Sequence, residues 1–346
     1  MAPGLDRDLP NPAYIAKQVS RVDYGLLFSA FSRLDQHEVS AEVMQVLMEL
    51  VGNSMDGQEL DFVIGEFTAA VGSYSEEEVA ELLRELLDFA DHASSVEAKG
   101  QVIHMIAALA SARIVTVLVR WWVSRHDDRA RGVLRAVGDG AIGPIIERLK
   151  HEEDMKARRA LVELLAEVAA ENPEGLAPFI PGQPWYLLRN LADVFALIGD
   201  DRVVPDIAHL AEHEDTRVRR SALRALAGIR SEAAEAALAL RLAREKDYQL
   251  LRLAVVLLGD MRAMSVADAL VRVADTAPFS GDGWQVKRAA VESLGRVGGP
   301  LAREYLRRLQ EGRHLLNRKQ WHELRFMAAA ALGALDSLEE EQGRER

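Results

Sequence analysis

The stretch His209-Leu210-Ala211-Glu212-His213 spells H-x-x-E-H, which sets two imidazoles one helical turn apart in the manner of a zinc pair. Zinc needs a third protein ligand, and the other seven of the nine histidines are scattered. A histidine ahead of an acidic turn then reads as a helix end, and no metal is expected. The acidic run Glu76-Glu77-Glu78 follows Ser75 as a capping box, with carboxylates at the positive end of a helix dipole rather than around a cation. Asp56 and Asp61 flank a glycine without the spacing of a calcium loop. No nucleophile elbow, Walker loop or G-x-G-x-x-G after a strand is present, and Gly138-Asp139-Gly140 is a turn between helices. With Cys 0, disulfides, thiolate metal sites and cysteine nucleophiles are excluded. No catalytic residue and no cofactor are expected, and the chain reads as a non-enzyme.

Arginine and tryptophan remain, and their meaning depends on the elements that carry them. The stretch from Gly199 to Ile229 reads as a helix, a tight turn at Glu214-Asp215-Thr216 and a second helix from Val218 onward. Such a hairpin buries little alone and needs copies beside it. Copies appear from about residue 129. The apolar residues that open each second helix are Ala157, Leu188, Val218, Leu250, Val286 and Leu324, separated by 31, 30, 32, 36 and 38 residues. Eight further on stand Leu165, Ala196, Leu226, Leu258, Leu294 and Leu332, followed by a small residue in five of six cases. Extra residues in the last two spacers, 276–283 and 312–320, are expected to form loops at one edge.

The segments Val218-Arg219-Arg220-Ser221-Ala222-Leu223-Arg224-Ala225-Leu226 and Val286-Lys287-Arg288-Ala289-Ala290-Val291-Glu292-Ser293-Leu294-Gly295 resemble HEAT repeats, most nearly the bacterial HEAT-like repeats of phycobilisome lyases. Trp185-Tyr186-Leu187-Leu188-Arg189-Asn190-Leu191 with Ile198-Gly199-Asp200 resembles a variant of the same unit. The resemblance covers about residues 130–335. It implies an all-α fold, an α-solenoid in which antiparallel helix pairs form a right-handed superhelix, with second helices on the concave side. It is unspecific for function.

Stacking turns columns of the repeat into rows. The position after each anchor reads Arg158, Arg189, Arg219, Leu251, Lys287 and Arg325. In HEAT-type repeats this residue pairs with a turn aspartate, so Asp154 and Asp215 are the expected partners in a ladder between repeats. The next position reads Arg159, Asn190, Arg220, Arg252, Arg288 and Phe326, and the resemblance puts this row in the groove. Arginine's planar fork suits carboxylate or phosphate, and solvation alone is the competing reading. Trp185, Trp284 and Trp321 precede their anchors by two or three residues. They either plug the turns or form an exposed aromatic edge. Of the neighbours Trp121 and Trp122, at most one can face a core.

The chain of 346 residues is 49% hydrophobic with a net charge of -12. Residues 1–125 carry 9 basic and 19 acidic side chains, whereas 126–335 carry 31 and 30. That balance argues against nucleic-acid binding through bulk charge. The organisation expected is a loose leader over 1–12, an acidic helical region over 13–125, the repeat array over 126–335 and a fraying acidic tail over 336–346. No signal or membrane-spanning stretch is evident, so a cytoplasmic location is expected. The function expected is a scaffold whose groove binds an acidic or extended segment of a partner protein, with no small-molecule substrate. The alternatives are nucleic-acid binding like the HEAT-type alkylpurine glycosylases, and tetrapyrrole handling as in bilin lyases.

Overall fold

The computed structural model describes residues 57–93, 95–312 and 316–344. The expected leader over 1–12 and the expected acidic helical region as far as residue 56 lie outside them. All regular structure among the described residues is helical, and the chain is an α-solenoid. It divides into two compact units, Met1–Glu171 and Asn172–Arg346. Among the described residues, no single helix is long and apolar enough to cross a membrane.

The first unit holds α1 (Gly57–Ala70), α2 (Glu76–His92), α3 (Val96–Leu109), α4 (Ala112–Arg125), α5 (Asp128–Val137), α6 (Asp139–His151) and α7 (Met155–Val168). Helices α2, α4 and α6 pack successively in one layer, and α1, α3, α5 and α7 in the other. Hairpin stacking therefore begins well before the repeat that the sequence discloses. In α3 the buried residues Ala98, Val102, Met105 and Ile106 keep the spacing of Val218, Ala222, Ala225 and Leu226. The capping box at Ser75 forms as expected: Glu78 N–H donates to Ser75 Oγ (3.3 Å), and Ser75 N–H donates to Glu78 Oε2 (2.8 Å). Trp121 is buried and Trp122 half-buried, so one of the two neighbours takes the core.

The second unit opens with a 3-10 segment, Pro173–Phe179. It continues through α8 (Trp185–Ile198), α9 (Val204–Leu210), α10 (Thr216–Ile229), α11 (Glu232–Arg244), α12 (Tyr248–Met261), α13 (Ala267–Thr276), α14 (Gly281–Val297), α15 (Gly299–Glu311) and α16 (Arg318–Arg344). Helices α8, α10, α12, α14 and α16 form one layer, and α9, α11, α13 and α15 form the other. The anchors Val218, Leu250, Val286 and Leu324 are buried, as are Leu226, Leu258, Leu294 and Leu332 eight places on. Burying each Leu contributes about 1.5–3 kcal/mol, so this paired column is a main source of cohesion between hairpins. The small residue that follows it marks close approach of consecutive second helices. A Cβ on Gly259 would stand 2.5 Å from Ser293 Oγ, and one on Gly295 would stand 2.7 Å from Ala331 Cβ.

Helix starts recur chemically. Asp127, Asp154, Asp215 and Asp247 cap α5, α7, α10 and α12, each carboxylate accepting backbone N–H bonds of the first turn. Gly199 ends α8 in the left-handed region at φ 66, but Arg230 (φ 56) and Arg262 (φ 55) do the same job for α10 and α12 at a steric cost.

One expectation is corrected here. The extra residues at 276–283 and 312–320 do not all form loops: Gly281–Gly283 and Arg318–Gln320 are first turns of α14 and α16. Helix α16 continues past Ser337 to Arg344.

Candidate functional site

Basic residues at the two neighbouring positions of the repeat meet different fates. The first of them turns back toward the end of the preceding helix. Arg158 donates to the carbonyls of Glu152 (2.7 Å) and Glu153 (3.3 Å), and Arg219 to those of His213 (2.9 Å) and Glu214 (2.8 Å). Lys287 Nζ donates to the carbonyls of Ala274 and Asp275, and Arg325 to that of Gln310 (2.8 Å). Each cation thus satisfies orphan carbonyls at the negative end of a helix. The expected pairing with Asp154 and Asp215 does not form: Arg158 and Arg219 turn to those carbonyls, while each aspartate caps its own helix through Oδ1. Asp215 also accepts from Arg217 Nη2 at 2.7 Å, and that partner pulls its pKa down to about 2. Burial pushes the Lys287 amine down.

Of these residues Arg219 alone also reaches the next hairpin through a carboxylate. Its Nε donates to buried Glu245 Oε2 (3.1 Å), which also receives Arg241 Nη2 (2.6 Å). Glu245 Oε1 accepts the N–H groups of Lys246 and Asp247, both at 2.9 Å, and Arg241 Nε donates to the Ala211 carbonyl (2.6 Å). The triad is almost fully satisfied and ties α10 to α11 behind the groove face.

The α8 repeat is shifted by one residue from the expected register. Leu187, Leu191, Val194 and Phe195 are the buried set that matches Val218, Ala222, Ala225 and Leu226, so Leu187 is its anchor. Two corrections follow. Arg189 belongs to the outward row rather than the ladder, and Asn190 is 3% exposed, taking a bond from Arg189 (3.2 Å) instead of lining a groove.

The other members of the outward row divide. In the first unit, Arg159 is exposed and donates to Glu163 one turn on (2.9 Å). In the second, Arg288 pairs with Glu323 (2.8 Å), and Phe326 is 74% exposed. Arg220 and Arg252 are exposed and, among the described residues, form no ion pair. Together with Arg224, one turn beyond Arg220, they line a cleft of about 390 Å³ over α10, α12 and the start of α14. Tyr248, Gln249, Asp282 and Gln285 complete its polar wall. Arg224 also lies in the field of Asp193, whose carboxyl burial pushes up despite Arg189 nearby.

The tryptophans plug turns without being wholly enclosed. Trp185 is half-buried beneath the Arg217 guanidinium, 3.3 Å from its ring centre. Trp284 stacks on Phe279 at 6.0 Å, and Trp321 tilts against the same ring while donating from Nε1 to the Gly312 carbonyl (3.0 Å). His213 Nδ1 accepts the Asp215 N–H at 3.0 Å and so belongs to the turn. Among the described residues, no three His, Asp or Glu side chains are grouped to hold a metal ion.

A family model described as HEAT repeats matches residues 173–256, the part of the second unit that includes α8 to α11 and most of α12. No curated protein sequence matches the chain. Several solved structures are similar in fold at low identity. One is an engineered protein at 16% identity, covering 94% of this chain and 93% of that one with a TM-score of 0.36. Human deoxyhypusine hydroxylase in complex with glycerol follows at 14%, covering 77% and 99%, with a TM-score of 0.34. The Pds5–Scc1 complex is similar at 10%, covering 92% and 59%, with a TM-score of 0.42. Likeness at this level concerns fold alone. The chain is an α-solenoid that is similar to HEAT repeats over residues 173–256, and its second unit carries an arginine-lined cleft.

Proposed function

We propose that this protein is a non-catalytic scaffold, and that the cleft of its second unit captures an acidic segment of a partner protein. The observation that carries the reading is a contrast among the outward arginines. Arg159 and Arg288 are engaged by neighbouring carboxylates, whereas Arg220, Arg224 and Arg252 share a cleft with no ion pair of their own among the described residues. Holding guanidinium groups of like charge one turn apart is unfavourable by a few tenths of a kcal/mol, and an incoming anion relieves that repulsion.

The test is the double charge reversal Arg220→Glu with Arg252→Glu, assayed by retention of fluorescently labelled acidic peptides on the immobilised full chain. Both side chains are exposed, so the melting temperature should stay within about a degree or two of wild type. Retention should fall at least tenfold. Undiminished retention with intact folding assigns capture to another surface.

A further inference from the structure

The chemistry of the cleft is narrower than a general preference for acid. Its lining side chains present three guanidinium groups against one carboxylate, Asp282, an excess of two positive charges in the lining, while the Asp193 carboxyl, whose charged form burial disfavours, lies outside the lining in the field of Arg224. One aspartate or glutamate of a partner leaves that excess half uncompensated, whereas a phosphomonoester carries about -1.5 to -2 and three strong acceptor oxygens. The other donors fit the same group. Gln249 and Gln285 bring neutral amides. The first turn of α14 also borders the cleft, and its cap residue Ser280 makes no side-chain bond to the helix, which leaves backbone N–H groups for an anion.

A second cleft, of about 540 Å³, shares one wall with the first. That wall is Tyr248, 41% exposed at the start of α12. Leu242, Leu251, Val273 and Pro278 give the second cleft an apolar part beside Glu245, Lys246 and Arg272, and Thr276 also lines it. Two neighbouring side chains of one extended peptide can therefore straddle Tyr248, one anionic and one apolar.

We infer that the occupant is a phosphorylated segment of a protein partner, with its phosphate among Arg220, Arg224 and Arg252 and an adjacent bulky apolar side chain in the cleft beyond Tyr248. The inference rests on the capture reading and adds to it a dependence on phosphorylation.

The experiment uses the full chain and a peptide library with fixed phosphoserine and degenerate flanks, alongside the same library carrying Ser or Glu at the fixed position. Binding is read by fluorescence anisotropy and by sequencing the retained pool. Phosphoserine should exceed Glu by roughly tenfold or more, Leu, Met or Phe should be enriched at one flanking position, and Arg220→Gln with Arg252→Gln should abolish the difference. Thr276→Trp, which fills the second cleft from an exposed position, should remove the apolar preference while leaving phosphate dependence intact. If Glu binds as tightly as phosphoserine and the Gln variant loses both, the phosphate inference fails and acidic capture stands. If no library is retained, the capture reading itself fails. Retention of phosphoserine without flanking preference, or a preference unmoved by Thr276→Trp, overturns the second cleft's role. Equal competition by a single-stranded oligonucleotide overturns the assignment to a protein partner.

Discussion

The turn edge of the second unit and its cleft face are built from neighbouring residues, yet they use arginine in opposite ways. Arg219 is folded inward, with its donors spent on two carbonyls and a buried glutamate, while Arg220 beside it faces the cleft without an ion pair among the described residues. One residue along a helix is a rotation of about 100°, enough to separate a structural cation from an available one. Composition alone does not distinguish them. Position around the helix does.

The strongest way to break this contrast is at Glu245. Glu245→Ala leaves Arg219 and Arg241 without their shared carboxylate in a buried setting, and a loss of about 3–5 kcal/mol is expected, measured by urea denaturation of the full chain. A loss below 1 kcal/mol would place the cohesion of α10 and α11 elsewhere. Next comes the close approach of α12 and α14. Gly259→Val pushes against Ser293 and should cost about 1–3 kcal/mol, while Gly228→Ala, with open space around it, should be neutral or slightly stabilising.

Smaller effects sharpen the picture of helix ends. Arg262→Gly removes a side chain from the left-handed region and should raise stability by up to about 1 kcal/mol. The Asp215 carboxyl has a folded pKa near 2, below its ordinary value of about 3.9. Its contribution to stability is therefore present above about pH 4 and is lost as pH falls toward 2. An NMR titration of its carboxyl carbon should give a midpoint at least one unit below that of exposed aspartates. Arg217→Ala should move it back up.

Much of the array was legible because its cohesion repeats. An anchor, a leucine eight places on and a small residue next to it are all demanded by the same contact between helices. The one-residue shift at α8 escaped notice because Leu187 and Leu188 are both leucine and both buried. In α3 the repeat was hidden by substitution: Ala98 and Met105 fill positions where shape rather than residue type is kept. The candidate cleft was half legible for a geometric reason. Arg220 and Arg252 fall in one column of the repeat, but Arg224, Tyr248 and Gln285 come from three others. A diagonal site over three hairpins has no signature in any single column. The ladder failed for a chemical reason, since the carbonyls at the preceding helix end take the guanidinium donors that were expected to reach the capping aspartates.

The Glu245 triad has a further consequence for recognition. It fastens Arg219 of α10 to Arg241 of α11 and, through the Lys246 and Asp247 N–H groups, to the start of α12. Both walls that present Arg220 and Arg252 are thus fixed from behind during folding. On the capture reading, an arriving segment would meet a preorganised face and lose little entropy in shaping it, so affinity there should depend on the ligand's own charge and stiffness more than on any rearrangement of the protein.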